Sequence, residues 1–91
     1  MDLKQLEKIG KALGDVHRLG ILRDMSAGGG SIQCAQIMHG TALAQPSVSH
    51  HIKTLIEAGL IVPEKEGRSY TYLLNKELLK GFIGELTRLS V

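Results

Sequence analysis

Ser47, Ser49, His50 and Lys53 lie close together in the chain, with Gln45 just ahead of them. Two hydroxyls, an imidazole, an ammonium and a carboxamide are short donors and acceptors, the kind of groups that meet phosphates and base edges in a DNA major groove. The stretch carrying them is Gln-Pro-Ser-Val-Ser-His-His-Ile-Lys-Thr-Leu-Ile-Glu-Ala-Gly, residues 45–59. Val48, Ile52, Leu55 and Ile56 recur through it at helical spacing, which predicts an amphipathic helix with an apolar inner row. The polar residues fall largely off that row. Pro46 suits a first helical turn, and Gly59 supplies a stop. An ordinary solvated helix face would have the same polarity, so the flanking segments must decide between the two.

Other chemistries find less support. His51 borders Val48 and Ile52, so packing and DNA contact both stay open for it. Cys34 is the single cysteine, which excludes an intrachain disulfide framework. It sits beside the apolar side of its segment, as a small buried hydrophobe would; a thiol or redox sensor and a soft-metal ligand shared across a dimer are the alternatives. His39 is five residues away, a poor spacing for a shared metal. The run Gly28-Gly29-Gly30 is not a phosphate loop, since no Gly-Lys-Ser/Thr follows and no strand precedes it. It reads as a mobile connector. There is no Ser-His-Asp order on supporting strands and no nucleophile elbow, so catalysis is not expected.

Ninety-one residues at 43% hydrophobic and 22% charged make one small globular domain spanning residues 1–91. The net charge of +2 allows nucleic-acid binding only through local arrangement or a dimer. No apolar run approaches a membrane span and no signal-peptide pattern opens the chain, so a cytoplasmic location is expected.

The elements around the organising stretch follow from periodicity and capping. Asp2 can cap a helix over residues 2–13, with Leu3, Leu6, Ile9 and Leu13 near one face and Glu7–Lys11 as an i,i+4 pair. Asp15 caps a second helix to about Ala27 with the row Val16, Leu19, Leu22 and Met25, while His17, Arg18, Arg23 and Asp24 stay polar. Ser31 is expected to cap a short third helix to about His39, and residues 40–44 turn into the organising helix. After Gly59 the period shortens to two. Leu60 to Val62 starts a strand, Pro63 keeps it at an edge, residues 64–68 form a charged tip ending at Arg68, and Ser69 to Leu74 returns. Tyr70 and Tyr72 read as packing residues of this hairpin. Asn75 caps a last helix to about Leu89, whose row Leu78, Leu79, Phe82, Ile83, Leu86 and Leu89 is wide enough to suggest a partner surface. The expected fold is therefore mainly α with a two-stranded β wing, a winged helix-turn-helix.

The chain resembles the ArsR/SmtB family of bacterial winged-helix repressors. The likeness rests on Lys11-Ala12-Leu13-Gly14-Asp15 with Arg18-Leu19 and Ile21-Leu22. It rests also on Gln45 to Ile52 with Leu55 and Ala58-Gly59-Leu60-Ile61, and on Glu66-Gly67-Arg68 with Tyr70, Tyr72 and Leu74. The resemblance implies a homodimer, a palindromic double-stranded operator and repression relieved by a signal. It does not imply which signal. Members of the family with a Cys-x-Cys metal site differ here, since Ile32 to Ile37 holds only Cys34. Residues 76–91 hold no His or Asp, only Glu77 and Glu85, so the family's other metal site is missing as well. Val16-His17 also departs from the family's usual proline and small polar residue.

These readings combine into one expectation. Gln45, Ser47, Ser49, His50, Lys53 and Arg68 contact DNA, Arg68 reaching a minor groove. Leu3, Leu6, Ile9, Leu79, Phe82, Ile83 and Leu86 form a homodimer interface. No metal or cofactor is needed, and Cys34 is the candidate thiol sensor. A winged-helix module that binds only protein is the rival, indicated by an acidic or apolar recognition surface, which this sequence lacks.

Overall fold

A computed structural model describes residues 1–40 and 43–91. The elements run α1 (Leu3–Leu13), α2 (Val16–Ala27), β1 (Ser31–Gln33), α3 (Cys34–His39), α4 (Gln45–Glu57), β2 (Ile61–Glu66), β3 (Ser69–Leu74) and α5 (Lys76–Leu89). The turn expected over residues 40–44 includes Thr41 and Ala42, which lie outside the described residues.

Local chemistry explains most of the boundaries. The Asp2 carboxylate accepts the Gln5 N–H at 2.8 Å and starts α1. Asp15 Oδ2 accepts the N–H groups of His17 and Arg18 at 2.9 and 3.1 Å and starts α2. Asn75 Oδ1 accepts from Leu78 N–H at the head of α5. Gly59 ends α4 at φ +80°. Its N–H donates to Ile56 O and the Leu60 N–H to Leu55 O, the paired bonds of a Schellman stop. A Cβ at Gly59 would also come within 3.2 Å of Leu78 Cδ2. Gly59→Ala is therefore expected to lower stability by about 1–2 kcal/mol, read as a shift in the denaturant midpoint at unchanged slope.

Three expectations are corrected. First, Ser31 does not cap a helix. Ser31–Gln33 is a third strand, giving a sheet of order β1-β3-β2 in which Ile32 faces Tyr72 and both are buried. The helix α3 starts at Cys34 instead, where the Gln33 N–H donates to Gln36 Oε1 at 2.9 Å. The strand β2 with Pro63 is an edge, as expected.

Second, the glycine run is a hydrogen-bonded stop. Gly29 N–H donates to Ser26 O and Gly30 N–H to Met25 O, with positive φ at both glycines. The Gly30 carbonyl then accepts from Leu74 N–H at 2.8 Å, which ties the end of α2 to the end of the wing.

Third, the row Val16, Leu19, Leu22, Met25 is not one face. A three-residue step falls back about 60° on an α-helix, so the row winds roughly halfway round. Leu22 and Met25 are buried, while Val16 is 74% and Leu19 49% exposed.

The core joins α1, α2 and α4 to the sheet and α5. Ile9, Met25, Leu55, Leu60, Ile61 and Val48 are its most enclosed large side chains. Burying each contributes roughly 1.5–3 kcal/mol.

Candidate nucleic-acid interface

Helix α4 is held from one side only. Val48, Ile52 and Leu55 face the core, and Ile56 packs beside them. Gln45, Ser47, Ser49, His50 and Lys53, spread over the rest of the helix circumference, are all exposed. Gln45, Ser49 and Lys53 follow one another at i, i+4 and i+8, so they form one row. That row lines a groove of about 260 Å³ whose remaining walls are Cys34, Met38, Ile52, Ile56 and Tyr72. Ser47 and His50 belong to the adjacent row. Lys53 Nζ lies 4.0 Å from Glu57 Oε1 across exposed surface, a pair that contributes little. Arg68 is exposed in the β2–β3 turn after Gly67. The α4 side chains thus spread over the exposed part of the helix, Gln45, Ser49 and Lys53 along the groove and Ser47 and His50 beyond it, while Arg68 lies in the wing turn.

Within the wing, Tyr72 is buried and Tyr70 stacks on it with ring centroids 6.4 Å apart. Burial raises the Tyr72 hydroxyl above its ordinary range, and the neighbouring Cys34 thiol adds to this. Cys34 is half-buried and packs against the core cluster beside this tyrosine.

His51 is the residue the sequence left open, and its surroundings are polar contacts to α2. Its ring is largely covered, with 12% of the side chain exposed. Nδ1 lies 3.0 Å from Arg18 Nη1 and 3.8 Å from Asp15 Oδ2. A guanidinium has only donors, so Nδ1 must accept and the ring proton sits on Nε2. Arg18 is anchored in turn, donating from Nε to Ala12 O at 2.7 Å and from Nη2 to Lys11 O at 3.0 Å. Burial pushes the His51 pKa down. Asp15 opposes this, while Arg18, His17 and His50 add to it, and the net shift is downward. The Asp15 carboxyl is held below its usual range, first by the Arg18 backbone N–H, with His51 contributing and desolvation opposing. The His17 ring also lies near, 5.6 Å from His51 between centroids. Sequence reasoning missed Asp15 and Arg18 as partners of the recognition helix. The available signal was a histidine at the margin of an apolar row.

Cys34 is the chain's single thiol, and among the described residues no group of three or more His, Cys, Asp or Glu side chains converges. Nor is any described helix long and apolar enough to cross a membrane.

The expected dimer residues divide into three groups. Ile9 is fully buried and Phe82 is 9% exposed within the single chain, so both belong to its own core. Leu6 and Leu79 are half-buried against that core. Leu3, Ile83 and Leu86 are exposed, as is Leu89. The start of α1 does meet α5: the Met1 amino group lies 3.6 Å from Glu85 Oε1.

Known proteins share both sequence and fold. A family model described as a helix-turn-helix domain matches residues 13–64. An arsenical resistance operon repressor of Staphylococcus aureus is 34% identical over 86 residues, covering 94% of this chain and 81% of the relative. The crystal structure of an ArsR family transcriptional regulator superimposes with a TM-score of 0.80 at 28% identity, covering 98% of this chain and 93% of that one. HlyU from Vibrio cholerae superimposes with a TM-score of 0.75 at 25% identity, covering 98% and 95%. By this likeness, as by its surface of short polar side chains on a helix with a buried apolar back, the chain belongs to the ArsR/SmtB family of DNA-binding helix-turn-helix transcriptional repressors, which are regulators and not enzymes.

Proposed function

We propose that residues 1–91 form one winged helix-turn-helix subunit of a cytoplasmic homodimer that represses transcription from a palindromic operator. In this reading α4 enters the major groove with Gln45, Ser47, Ser49, His50 and Lys53, and Arg68 of the wing reaches the neighbouring minor groove. The exposed faces of α1 and α5 pair two subunits so that the reading helices meet half-sites about 34–36 Å apart. The observation that carries the reading is the division of α4: an apolar side enclosed by the core and a side of small polar groups left open.

The inducing signal is not metal or metalloid bound by the chain's own thiols. One cysteine per chain supplies at most two thiolates to a dimer, and zinc and most divalent ions take several Cys, His or carboxylate ligands in a set geometry. The arsenical function in the name of the staphylococcal relative is accordingly not transferred.

Selection of bound duplexes from a random library would supply the operator. Against that operator, Ser49→Ala and His50→Ala are each expected to weaken binding by roughly 1–3 kcal/mol where they contact base edges, measured by fluorescence anisotropy. Wild-type affinity in both variants would place the contacts on another face of α4.

A further inference from the structure

Arg18 joins three helices at one point. It projects from the first turn of α2, and two of its nitrogens bind the Lys11 and Ala12 carbonyls at the end of α1. Those carbonyls belong to the last turn, where helical partners run out; the Lys11 carbonyl also accepts the Gly14 N–H at 3.2 Å. A third nitrogen reaches His51 on α4, 33 positions along the chain. The apolar contacts of Val48, Ile52 and Leu55 hold α4 against the core without setting its rotation sharply, because burial is non-directional. A hydrogen bond to a planar ring nitrogen is directional. His51 follows His50 directly and lies one turn beyond Ser47, so a constraint on its ring constrains the adjoining exposed row.

We infer that Arg18 is a positioning residue for operator recognition: by binding His51 Nδ1 it fixes the rotation of α4 relative to α1 and α2, and with it the placement of Ser47 and His50 on the duplex. The inference rests on the DNA-binding reading of α4.

The link works only while Nδ1 can accept. A proton there removes the acceptor, places two cations 3.0 Å apart, and directs the new N–H toward Asp15 Oδ2, 3.8 Å away. The ionisable groups facing the ring are Asp15, His17 and Arg18 from α2 and His50 from α4 itself; Asp24 lines the same cleft between α2 and α4. The His51 pKa lies below the ordinary histidine value of about 6.5. A depressed value means that the folded chain binds the proton less readily than the unfolded one. The neutral, linked form is thus favoured in the folded chain, and it is lost only as pH falls through a folded value below the ordinary one.

The test compares affinity for the selected operator with affinity for an unrelated duplex of equal length, which cancels general charge effects. Wild type, Arg18→Lys and His51→Gln are measured from pH 7.5 down to 5.5. Lysine keeps the charge but is a point donor that cannot span all three acceptors. At pH 7.5, Arg18→Lys is expected to lower the operator-to-unrelated ratio about tenfold and to leave unrelated-duplex affinity within about twofold. Any fall in the wild-type ratio toward pH 5.5 is expected to be smaller in His51→Gln, whose amide oxygen accepts without titrating. Circular dichroism checks folding. If Arg18→Lys does not fold, His51→Phe at pH 7.5, which keeps a ring and removes the acceptor, decides by showing the same loss. A folded Arg18→Lys or a folded His51→Phe with the wild-type ratio overturns the inference alone. A wild type that prefers no duplex overturns the DNA-binding reading and the inference with it.

Discussion

Ile83→Asp is expected to yield a folded chain that sediments as a monomer at concentrations where the wild type is a dimer. Ile83 is 54% exposed on the single chain, so a carboxylate there costs the subunit little. In a symmetric pair the change occurs twice. Losing two buried large side chains removes about 3–6 kcal/mol, or roughly a hundred- to ten-thousand-fold in the dimer dissociation constant. Operator affinity should fall with it, since a lone subunit meets one half-site. Phe82→Asp is a poor substitute for this test. Phe82 lies within the chain's own core, and truncating such a residue even to alanine costs about 3–5 kcal/mol, so loss of fold would be read as loss of pairing. Sedimentation of Ile83→Asp as a wild-type-like dimer would remove α5 from the interface, and a folded wild-type monomer at micromolar concentration would remove the dimer altogether.

Operator affinity is expected to collapse with added salt. A dimer making six to ten phosphate contacts loses about 10³–10⁵-fold between roughly 50 and 200 mM monovalent salt as condensed counterions are released. Arg68→Ala and Lys53→Ala should flatten the log–log slope by about 0.9 for each phosphate no longer neutralised, roughly twice that in a dimer. The chain's net charge of only +2 sharpens the test, because a steep slope then reports charges placed against the duplex and not bulk attraction. A flat response would favour a module that binds protein.

The parts of this fold that were legible in the sequence are those governed by near neighbours. Asp2, Asp15 and Asn75 start helices through bonds to N–H groups two or three residues on. Gly59 stops one by its own backbone freedom. The inner face of α4 was likewise readable from four apolar positions. What was hidden depends on distant partners. The strand Ser31–Gln33 is too short to show an alternating pattern and exists because Thr71–Leu73 pairs with it. Which edge of the wide α5 row is covered depends on where the core lies, so Phe82 and Ile83 look alike in sequence and differ in place. The Arg18–His51 bond leaves only a histidine at the margin of an apolar row, and nothing near either residue names the other.

Asn75 has a consequence for how a signal can reach DNA. Its side-chain amide donates to Gly59 O at 3.0 Å and its backbone N–H to Leu60 O at 2.9 Å, while its side-chain oxygen starts α5. The C-terminal end of the reading helix and the N-terminal end of the proposed pairing helix are therefore riveted through one residue. At the far edge of the wing, Gly30 and β1 bind β3 to the front half of the chain. Built this way, the subunit has little slack in which to reshape its reading surface locally. A torque on α5 would turn the whole subunit like a crank, and the quantity open to control is the span between two crank ends on the duplex.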